Sequence, residues 1–190
     1  MPLPTAQPRQ ELHLRRIEVR GFRRHDGLLD IEARIIDTKR DPFAVGSGDR
    51  ILPPGEHLHD MVVRLTLDQD YLIHEAIAVT DAAPHQVCPS AAASVALLKG
   101  LVVGAGWNRA IRDRLSGVRG CTHIVELLAQ MATVAFQTNA PQRIAAEGPL
   151  DANGRPLKID SCYAYASGRE LVRVRWPAHY DGPLGGAAPG

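Results

Sequence analysis

Two of the three cysteines stand where a helix is predicted to begin. Cys88 directly precedes Pro89, Cys121 directly precedes Thr122, and each pair opens a helical pattern. The free N–H groups and partial positive charge of a helix N-terminus stabilise a thiolate relative to a thiol. A thiolate is both a nucleophile and a metal ligand, so the pair of positions favours chemistry. The alternative interpretation is that each cysteine is a small apolar residue packed at a helix start.

A second source of ligands is the segment of residues 56–60, which contains His57, His59 and Asp60. Sets that combine imidazole, thiolate and carboxylate groups suit Zn²⁺ or Fe²⁺. No compact pair of the form Cys-X-X-Cys occurs in the chain. A site without any metal is therefore equally compatible with the spacing.

Further candidates could move protons or hold substrate. His123 follows Cys121 by two residues, where it could act as a base or cap the helix. Glu126, one helical turn further on, could orient that imidazole or be an exposed first-turn acid. Asp81 could be a ligand, a general base or a turn residue. Arg119 could hold an anionic or oxygen-rich substrate.

Strand patterns occupy the first half of the chain and must position these groups. Apolar and polar residues alternate from Leu29 to Ile35, which is typical of a strand with one buried face. Two strand hairpins are predicted to form one antiparallel sheet, from residues 13–24, 28–38, 60–67 and 71–80. Residues 40–56 contain three prolines and three glycines and are expected to form a loop.

Helical patterns follow the sheet. Three helices are predicted, at residues 89–99, 107–115 and 122–137. The last has one apolar stripe, formed by Ile124, Leu127, Leu128, Met131, Val134 and Ala135. Strands followed by helices favour an α+β fold with the helices packed on one face of the antiparallel sheet.

The ends of the chain are predicted from composition and pattern. A final strand hairpin is expected from residues 157–165 and 171–176. We expect a single domain over residues 12–178. Flexible tails are expected at residues 1–11, which are rich in proline, and at residues 179–190, which are rich in glycine, proline and alanine.

Composition excludes several classes of protein. The 22 basic and 21 acidic residues leave a net charge of +1, which gives no electrostatic case for nucleic-acid binding. No apolar run approaches the roughly 18 residues of a membrane span, and the N-terminus lacks the apolar core of a secretory signal. An odd number of widely spaced cysteines is a poor disulfide framework. We therefore expect a cytoplasmic protein with free thiols, a small-molecule substrate and, as one option, a homo-oligomeric state.

Residues 57–137 resemble the iron–sulfur scaffold proteins of the IscU/NifU type. The resemblance rests on the runs HDMVVRLTLDQDYLIHEAIAVTDAAPHQVCPSAAASVALLKG and GCTHIVELLAQMATVAF. In those proteins one cysteine opens a strand hairpin and two others start helices. Here His59-Asp60 stands in the first position, Cys88 in the second and Cys121 in the third. The resemblance implies an IscU-like core whose His/Asp/Cys/Cys site could hold zinc but lacks the first cysteine of a cluster scaffold.

The whole chain is more similar to an uncharacterised bacterial family, domain of unknown function 2889. The similarity spans residues 14 to 177 and rests on RRIEVRGFRRHDGLLDIEARIIDTK, HDM, TDAAPHQVCP, GVRGCTHIVELL and RVRWP. It implies a bacterial cytoplasmic protein with a hint of aromatic or acyl-compound breakdown.

We predict a small-molecule enzyme, a lyase or hydrolase in the catabolism of aromatic or acyl compounds. The predicted metal ligands, for Zn²⁺ or Fe²⁺ if a metal is bound, are His59, Cys88 and Cys121. The predicted catalytic residues are Asp60, Asp81, His123 and Arg119. The alternative is a metal or iron–sulfur carrier that works with partner proteins, and a third hypothesis is a structural protein whose thiols only pack.

Overall fold

The computed structural model describes residues 3–46, 48, 50–140 and 149–183. Contacts divide the chain into two compact units, Met1–Asn139 and Ala140–Gly190, which are considered separately. The prediction of one domain over residues 12–178 stays a prediction. Most of the expected C-terminal tail lies outside the described residues, whereas residues 3–12 are exposed and have no helix or strand.

The first unit is built on a four-stranded antiparallel sheet, as predicted. Strands β1 to β6 are, in chain order, His13–Arg23, Leu29–Lys39, Phe43–Val45, Arg50–Leu52, His57–Leu67 and Ile73–Ala82. The large sheet has the strand order β1-β2-β5-β6. Strands β3 and β4 pair in a separate two-stranded sheet, so the expected loop at residues 40–56 contains a short hairpin. Val45 and Leu52 of these two strands are buried with Leu58 in a small apolar cluster of their own.

One face of the large sheet is apolar. The predicted alternation in β2 is confirmed, because Leu29, Ile31, Ala33 and Ile35 are all buried. The β2–β5 register places Leu65 opposite Ile31 and Met61 opposite Ile35, so the buried residues of β5 extend the same face. This shared face is the floor of the main hydrophobic core.

Helical segments cover that face. A 3₁₀ segment, Cys88–Leu98, follows β6, and its buried residues Ala92, Val95 and Leu98 recur every three residues. A spacing of three matches the three residues per turn of a 3₁₀ helix, so the predicted helix at residues 89–99 exists with a tighter winding. Helix α1 is Trp107–Leu115, and helix α2 is Thr122–Thr138.

The longest helix, α2, packs on strands β1, β2 and β5. Its predicted stripe is confirmed, since Ile124, Leu127, Leu128, Met131 and Ala135 are buried and Val134 packs against the core while partly exposed. The indole Nε1 of Trp107 donates a hydrogen bond of 2.9 Å to the Leu128 carbonyl oxygen, which ties α1 to α2. The α+β fold with helices on one face of an antiparallel sheet is therefore confirmed. No helix among the described residues is long and apolar enough to span a bilayer.

The predicted C-terminal hairpin is wrong. In the second unit, Tyr163–Tyr165 is a 3₁₀ turn and Glu170–Arg175 is a short α-helix. Val172 is fully buried whereas Val174 is 71% exposed, a difference that two residues on one face of a strand would not show. Glu170 accepts two hydrogen bonds from Arg173, at 2.6 and 2.7 Å, and this pair at a spacing of three stabilises the helix.

Candidate functional site

A cavity of about 650 Å³ opens in the first unit at the end of the sheet where β5 begins. Volumes of this size suit small-molecule ligands. Five of the seven predicted site residues line it: His59, Cys88, Arg119, Cys121 and His123. The structure thus brings together groups that are spread over more than sixty positions of the sequence.

Local structure explains how these residues converge. His59 is the third residue of β5, and Cys88 is the first residue of the 3₁₀ segment. Arg119 ends a short 3₁₀ turn, and Cys121 is the N-cap residue of α2. His123 therefore lies in the first turn of α2, and its imidazole meets the beginning of β5.

Next to His59, and outside the lining of the cavity, lies a buried carboxylate, Asp37, whose side chain is 1% exposed. Arg15 holds both of its oxygens, with Nε 2.8 Å from Oδ1 and a terminal nitrogen 2.7 Å from Oδ2. Nδ1 of His59 lies 2.9 Å from Oδ2, and Nε2 of His13 lies 3.3 Å from Oδ1. Arg15 also pairs with Glu126, so this acid, for which the sequence left open an orienting role toward His123 or an exposed place in the first turn, is exposed and connects α2 to β1.

Burial and neighbouring charges set the protonation states of Asp37 and His59. Burial is the largest influence on Asp37 and raises its pKa, but the hydrogen bonds from Arg15 and His59 and the charge of Arg15 outweigh it and hold the pKa below its usual value. For His59, burial is again the largest influence and lowers the pKa, against the opposite effect of Asp37. The lowered pKa of His59 favours the neutral imidazole, and because an ionised carboxylate only accepts, the Nδ1–H of His59 donates to Asp37.

A second pair faces the same cavity. Sγ of Cys121 lies 3.7 Å from Nδ1 of His123 and 3.9 Å from the sulfur of Met61. Burial is the largest influence on the Cys121 thiol and raises its pKa. The His123 imidazole and, to a smaller extent, the nearby backbone N–H groups of Ile124 and His123 together lower it below the ordinary value. The direction of this shift agrees with the effect expected from the sequence for a cysteine at a helix start, although Cys121 makes no side-chain capping hydrogen bond.

The Asp37–His59 pair and the Cys121–His123 pair are in contact through their imidazole rings. The ring centroids of His59 and His123 are 3.8 Å apart, with an angle of 34° between the planes. One potential ligand atom from each of Asp37, His59 and His123 lies within 4.8 Å of the others. The predicted ligands Cys88 and Cys121 line the same cavity but do not belong to this close group of three.

Two of the predicted site residues, Asp60 and Asp81, lie outside the cavity. Asp60 alternates with His59 along β5 and so points to the opposite face, where it pairs with Arg34 at 2.6 Å and with His57 at 2.8 Å. Asp81 is exposed at the end of β6 and interacts with the charge of Arg34. Neither carboxylate lines the cavity.

Asp37 was missed from the sequence, although a signal was present. It continues the series Leu29, Ile31, Ala33 and Ile35 by one more step of two. A carboxylate at the next position of a buried face is expected to have charged partners. The same reasoning would have directed attention to Arg15, which stands opposite Asp37 in the β1–β2 register.

Comparison with known proteins gives one match. The profile of a family described as protein of unknown function (DUF2889) matches residues 13–137. No curated protein and no solved structure gives a significant match, so the IscU-like character of the fold stays a prediction.

Proposed function

We propose that this chain, which belongs to the DUF2889 family, is a hydrolase of small acyl compounds with Cys121 as its nucleophile. One observation carries the proposal: the Cys121 thiol stands at the N-cap of α2, 3.7 Å from an imidazole nitrogen, on the wall of a cavity of about 650 Å³. A thiol beside a base at a helix start is the arrangement that activates cysteine nucleophiles.

The chemistry follows from these groups. The Cys121 thiolate attacks the carbonyl carbon of an ester or thioester, so that a carbon–sulfur bond forms and the carbon–leaving-group bond breaks. The proton that leaves the Cys121 thiol is taken up by Nδ1 of His123, and the resulting imidazolium gives it to the leaving group. The same imidazole then takes a proton from water, whose oxygen attacks the enzyme-bound acyl group. The carbon–sulfur bond breaks, the carboxylic acid leaves and the thiolate is restored.

In this scheme the Asp37–His59 pair acts by holding the ring of His123 in position. His59 is fixed by Asp37 and stacks on His123, which restricts the ring that faces the thiol. Carboxylate–imidazole pairs hold the tautomer and orientation of catalytic histidines in the same way. Asp37 and Arg15 are accordingly positioning residues. Arg119 is exposed and lines the cavity, where its charge attracts an anionic portion of the substrate.

Other sequence-based hypotheses have less support from the geometry. Asp60 is held by Arg34 and His57 on the far side of the sheet, so a base at that position would not reach the cavity. A cluster carrier would draw on thiolates, whereas the close group of potential ligands consists of two imidazoles and a carboxylate. Lyase chemistry, the substrate and a cytoplasmic location stay predictions.

The test is covalent trapping with an activated ester. Metal-free protein, kept in a chelator, is mixed with p-nitrophenyl esters of short-chain acids, and the acyl adduct is located by peptide mass spectrometry. We expect a burst of nitrophenol, an adduct on Cys121 and a loss of turnover of at least about 100-fold in Cys121→Ala.

Cys88→Ser is the matched control because Cys88 lines the same cavity, and Cys162→Ser tests the exposed thiol of the second unit. Both variants should hydrolyse the esters like the unmodified chain. An adduct confined to Cys88, or undiminished turnover in Cys121→Ala, would refute the proposal.

A further inference from the structure

We infer that the substrates are acyl thioesters of a thiol that carries several phosphate groups, as coenzyme A does, and that Arg109, Arg112 and Arg119 bind those phosphates. These three residues are called the arginine series. The reaction at the thioester rests on the proposed function. The phosphate site itself rests only on the charges and contacts of the arginine series.

Positive charge is concentrated in one short segment of the first unit, residues 99–119. This segment contains five basic residues and one acidic residue, a net charge of +4, whereas the remaining 17 basic and 20 acidic residues of the chain leave −3. The three members of the arginine series are exposed, and each lines a cavity. The segment therefore offers accessible positive charge to an anionic ligand.

The arginine series connects two cavities. Arg119 lines the cavity that contains the Cys121 thiol, whereas Arg109 and Arg112 line a second cavity of about 390 Å³ formed by residues of α1 and α2 and the turn before α1. A terminal nitrogen of Arg119 donates a hydrogen bond of 3.4 Å to the Arg112 carbonyl oxygen. The positive charges thus lead from the nucleophile to the second cavity.

The guanidinium groups are available for a ligand. Arg112 and Arg119 have no carboxylate partner among the described residues. Arg109 lies 3.7 Å from Asp113, but both side chains are largely exposed, so this pair is weak. No acidic residue of the described chain lines either cavity. Guanidinium groups bind phosphate through paired N–H donors, and three of them suit a ligand with several phosphates better than a single carboxylate.

The two cavities suit the two ends of an elongated substrate. The main cavity contains Cys121 and apolar lining residues such as Met61 and Ala91, which suit the acyl group. Arg119 is two residues before Cys121, so their Cα atoms lie within about 7 Å. Arg112 and Arg109 lie further from the thiol and are one turn of α1 apart, a rise of about 4.5 Å. Phosphates at the end of a flexible arm can reach this series while the carbonyl stays at Cys121.

The reaction for such a substrate is balanced by the groups already described. The Cys121 thiolate attacks the thioester carbonyl carbon, a new carbon–sulfur bond forms, and the bond to the carrier sulfur breaks. The His123 imidazolium protonates that sulfur, so the carrier leaves as a thiol. Water then hydrolyses the acyl-enzyme, and the products are a carboxylic acid and the free phosphorylated thiol.

The experiment compares acetyl-coenzyme A with acetyl-pantetheine, which has the same arm without phosphates. Hydrolysis by the full-length protein is followed by the loss of the ultraviolet absorbance of the thioester. We expect kcat/KM to be at least about 30-fold higher for acetyl-coenzyme A, because charge-assisted hydrogen bonds to phosphate are made only with that substrate. This ratio should decrease as sodium chloride is added, since exposed charges are screened.

The doubly substituted variant Arg109→Gln/Arg112→Gln should lower the ratio of the two kcat/KM values by about 10-fold. Equilibrium dialysis of coenzyme A itself gives a readout without turnover. The double variant should bind coenzyme A at least about 10-fold more weakly, whereas Cys121→Ala should still bind it. Far-ultraviolet circular dichroism checks that each variant is folded.

Arg114→Gln is the matched control, because it removes the same charge from the same helix. The Arg114 guanidinium donates to the Ala110 carbonyl oxygen and lines neither cavity, so this variant should change the ratio by less than about 2-fold. Equal effects of Arg114→Gln and the double variant would overturn the phosphate site and indicate only a general effect of charge.

The outcomes separate the substrate class from the proposed function. If p-nitrophenyl esters are hydrolysed through Cys121 but the two thioesters react equally well, the inference fails and the proposed function stands. If no ester or thioester is hydrolysed but the double variant loses coenzyme A binding, the proposed function fails and the phosphate site stands. Equal kcat/KM for acetyl-phosphopantetheine, which has one phosphate, would overturn the assignment to a thiol with several phosphates and favour an arm of the kind held by carrier proteins.

Discussion

At the scale of single residues, the site depends on a charge in the core of the first unit. Asp37 is almost completely buried, and a buried carboxylate is tolerated only when it has charged or hydrogen-bonding partners. Here Arg15 supplies a two-point ion pair, and His13 and His59 approach the same oxygens. The partners hold Asp37 ionised, and Asp37 in turn holds the ring of His59 in place.

Replacing Asp37 should therefore affect both stability and the site. Asp37→Asn keeps the shape but removes the charge, leaving Arg15 with a poorer partner. Because Arg15 is 32% exposed, we expect a loss below the range for a fully buried ion pair, about 2–3 kcal/mol of unfolding free energy. The rate of Cys121 alkylation by iodoacetamide should also change, because His59 loses the carboxylate that fixes it against His123. Urea unfolding and iodoacetamide kinetics measure the two effects.

The control for this prediction lies on the same strand. Asp30 points to the other face of β2 and accepts a hydrogen bond of 2.7 Å from the Thr66 hydroxyl. Asp30→Asn retains that acceptor and should change the unfolding free energy by less than about 1 kcal/mol, with the rate of Cys121 alkylation unaltered. Equal effects of the two substitutions would show that Asp37 has no special role.

Residue types alone identified part of this site. The helix-start position of Cys121 and the nearby His123 could be predicted because their chemistry depends on neighbours in sequence. Asp37 could not be paired with His59 in this way. Their contact comes from the β2–β5 register, which joins them across the β3–β4 hairpin between the two strands. A register of this kind is a long-range property that local spacing does not determine.

At the scale of elements, the junction between α1 and α2 sets the position of the nucleophile. A Cβ atom on Gly120 would overlap the backbone carbonyl of Leu115, the last residue of α1. The chain can make this close approach only with glycine, and Cys121 follows immediately. The end of α1 thereby fixes where α2 begins and where its N-cap thiol stands.

Gly120→Ala should disturb this junction. The added methyl group must push the backbone at Leu115 and Cys121 apart, and we expect a loss of about 1–3 kcal/mol in unfolding free energy. The rate of Cys121 alkylation should also change, because the thiol moves relative to His123 and the backbone N–H groups. Thermal unfolding and iodoacetamide kinetics test both expectations.

Gly104 offers a matched substitution for this comparison. A Cβ there would meet only a side-chain carbon of Val102 at 4.0 Å, an ordinary contact, and its backbone is not left-handed. Gly104→Ala should stay within about 0.5 kcal/mol of the unmodified chain and leave Cys121 reactivity unchanged. If Gly120→Ala changed neither the unfolding free energy nor the rate of Cys121 alkylation, the backbone at the junction would accommodate the methyl group and would not position the thiol.

The strands and helices could be predicted from the sequence more completely than the site that they position. Strand β2 follows a clear period of two residues and helix α2 a period of three to four, whereas the other strands and α1 could be recognised from apolar segments between turn residues. The C-terminal hairpin failed because Leu171, Val172 and Val174 form a short apolar run, which fits a strand or a helix equally well. The Glu170–Arg173 pair and the single buried valine favour the helix.

At the scale of the whole molecule, two independent boundaries nearly coincide. The family match covers residues 13–137, and the first compact unit is Met1–Asn139. All residues assigned here to the site, and the main hydrophobic core, belong to that unit. A segment that contains its own core and its own site has the properties of an independently folding domain.

We therefore expect a fragment of residues 1–139 to fold by itself. It should unfold cooperatively on heating, because the core formed by the sheet, the 3₁₀ segment, α1 and α2 is retained. The alkylation rate of Cys121 should lie within about 2-fold of that of the full chain, since it depends on contacts inside the fragment. A shorter fragment that ends at Ala129 removes Met131 and Ala135 from the core and should not fold. If residues 1–139 showed no cooperative transition, folding would require the remainder of the chain, and the single domain predicted over residues 12–178 would be the better description.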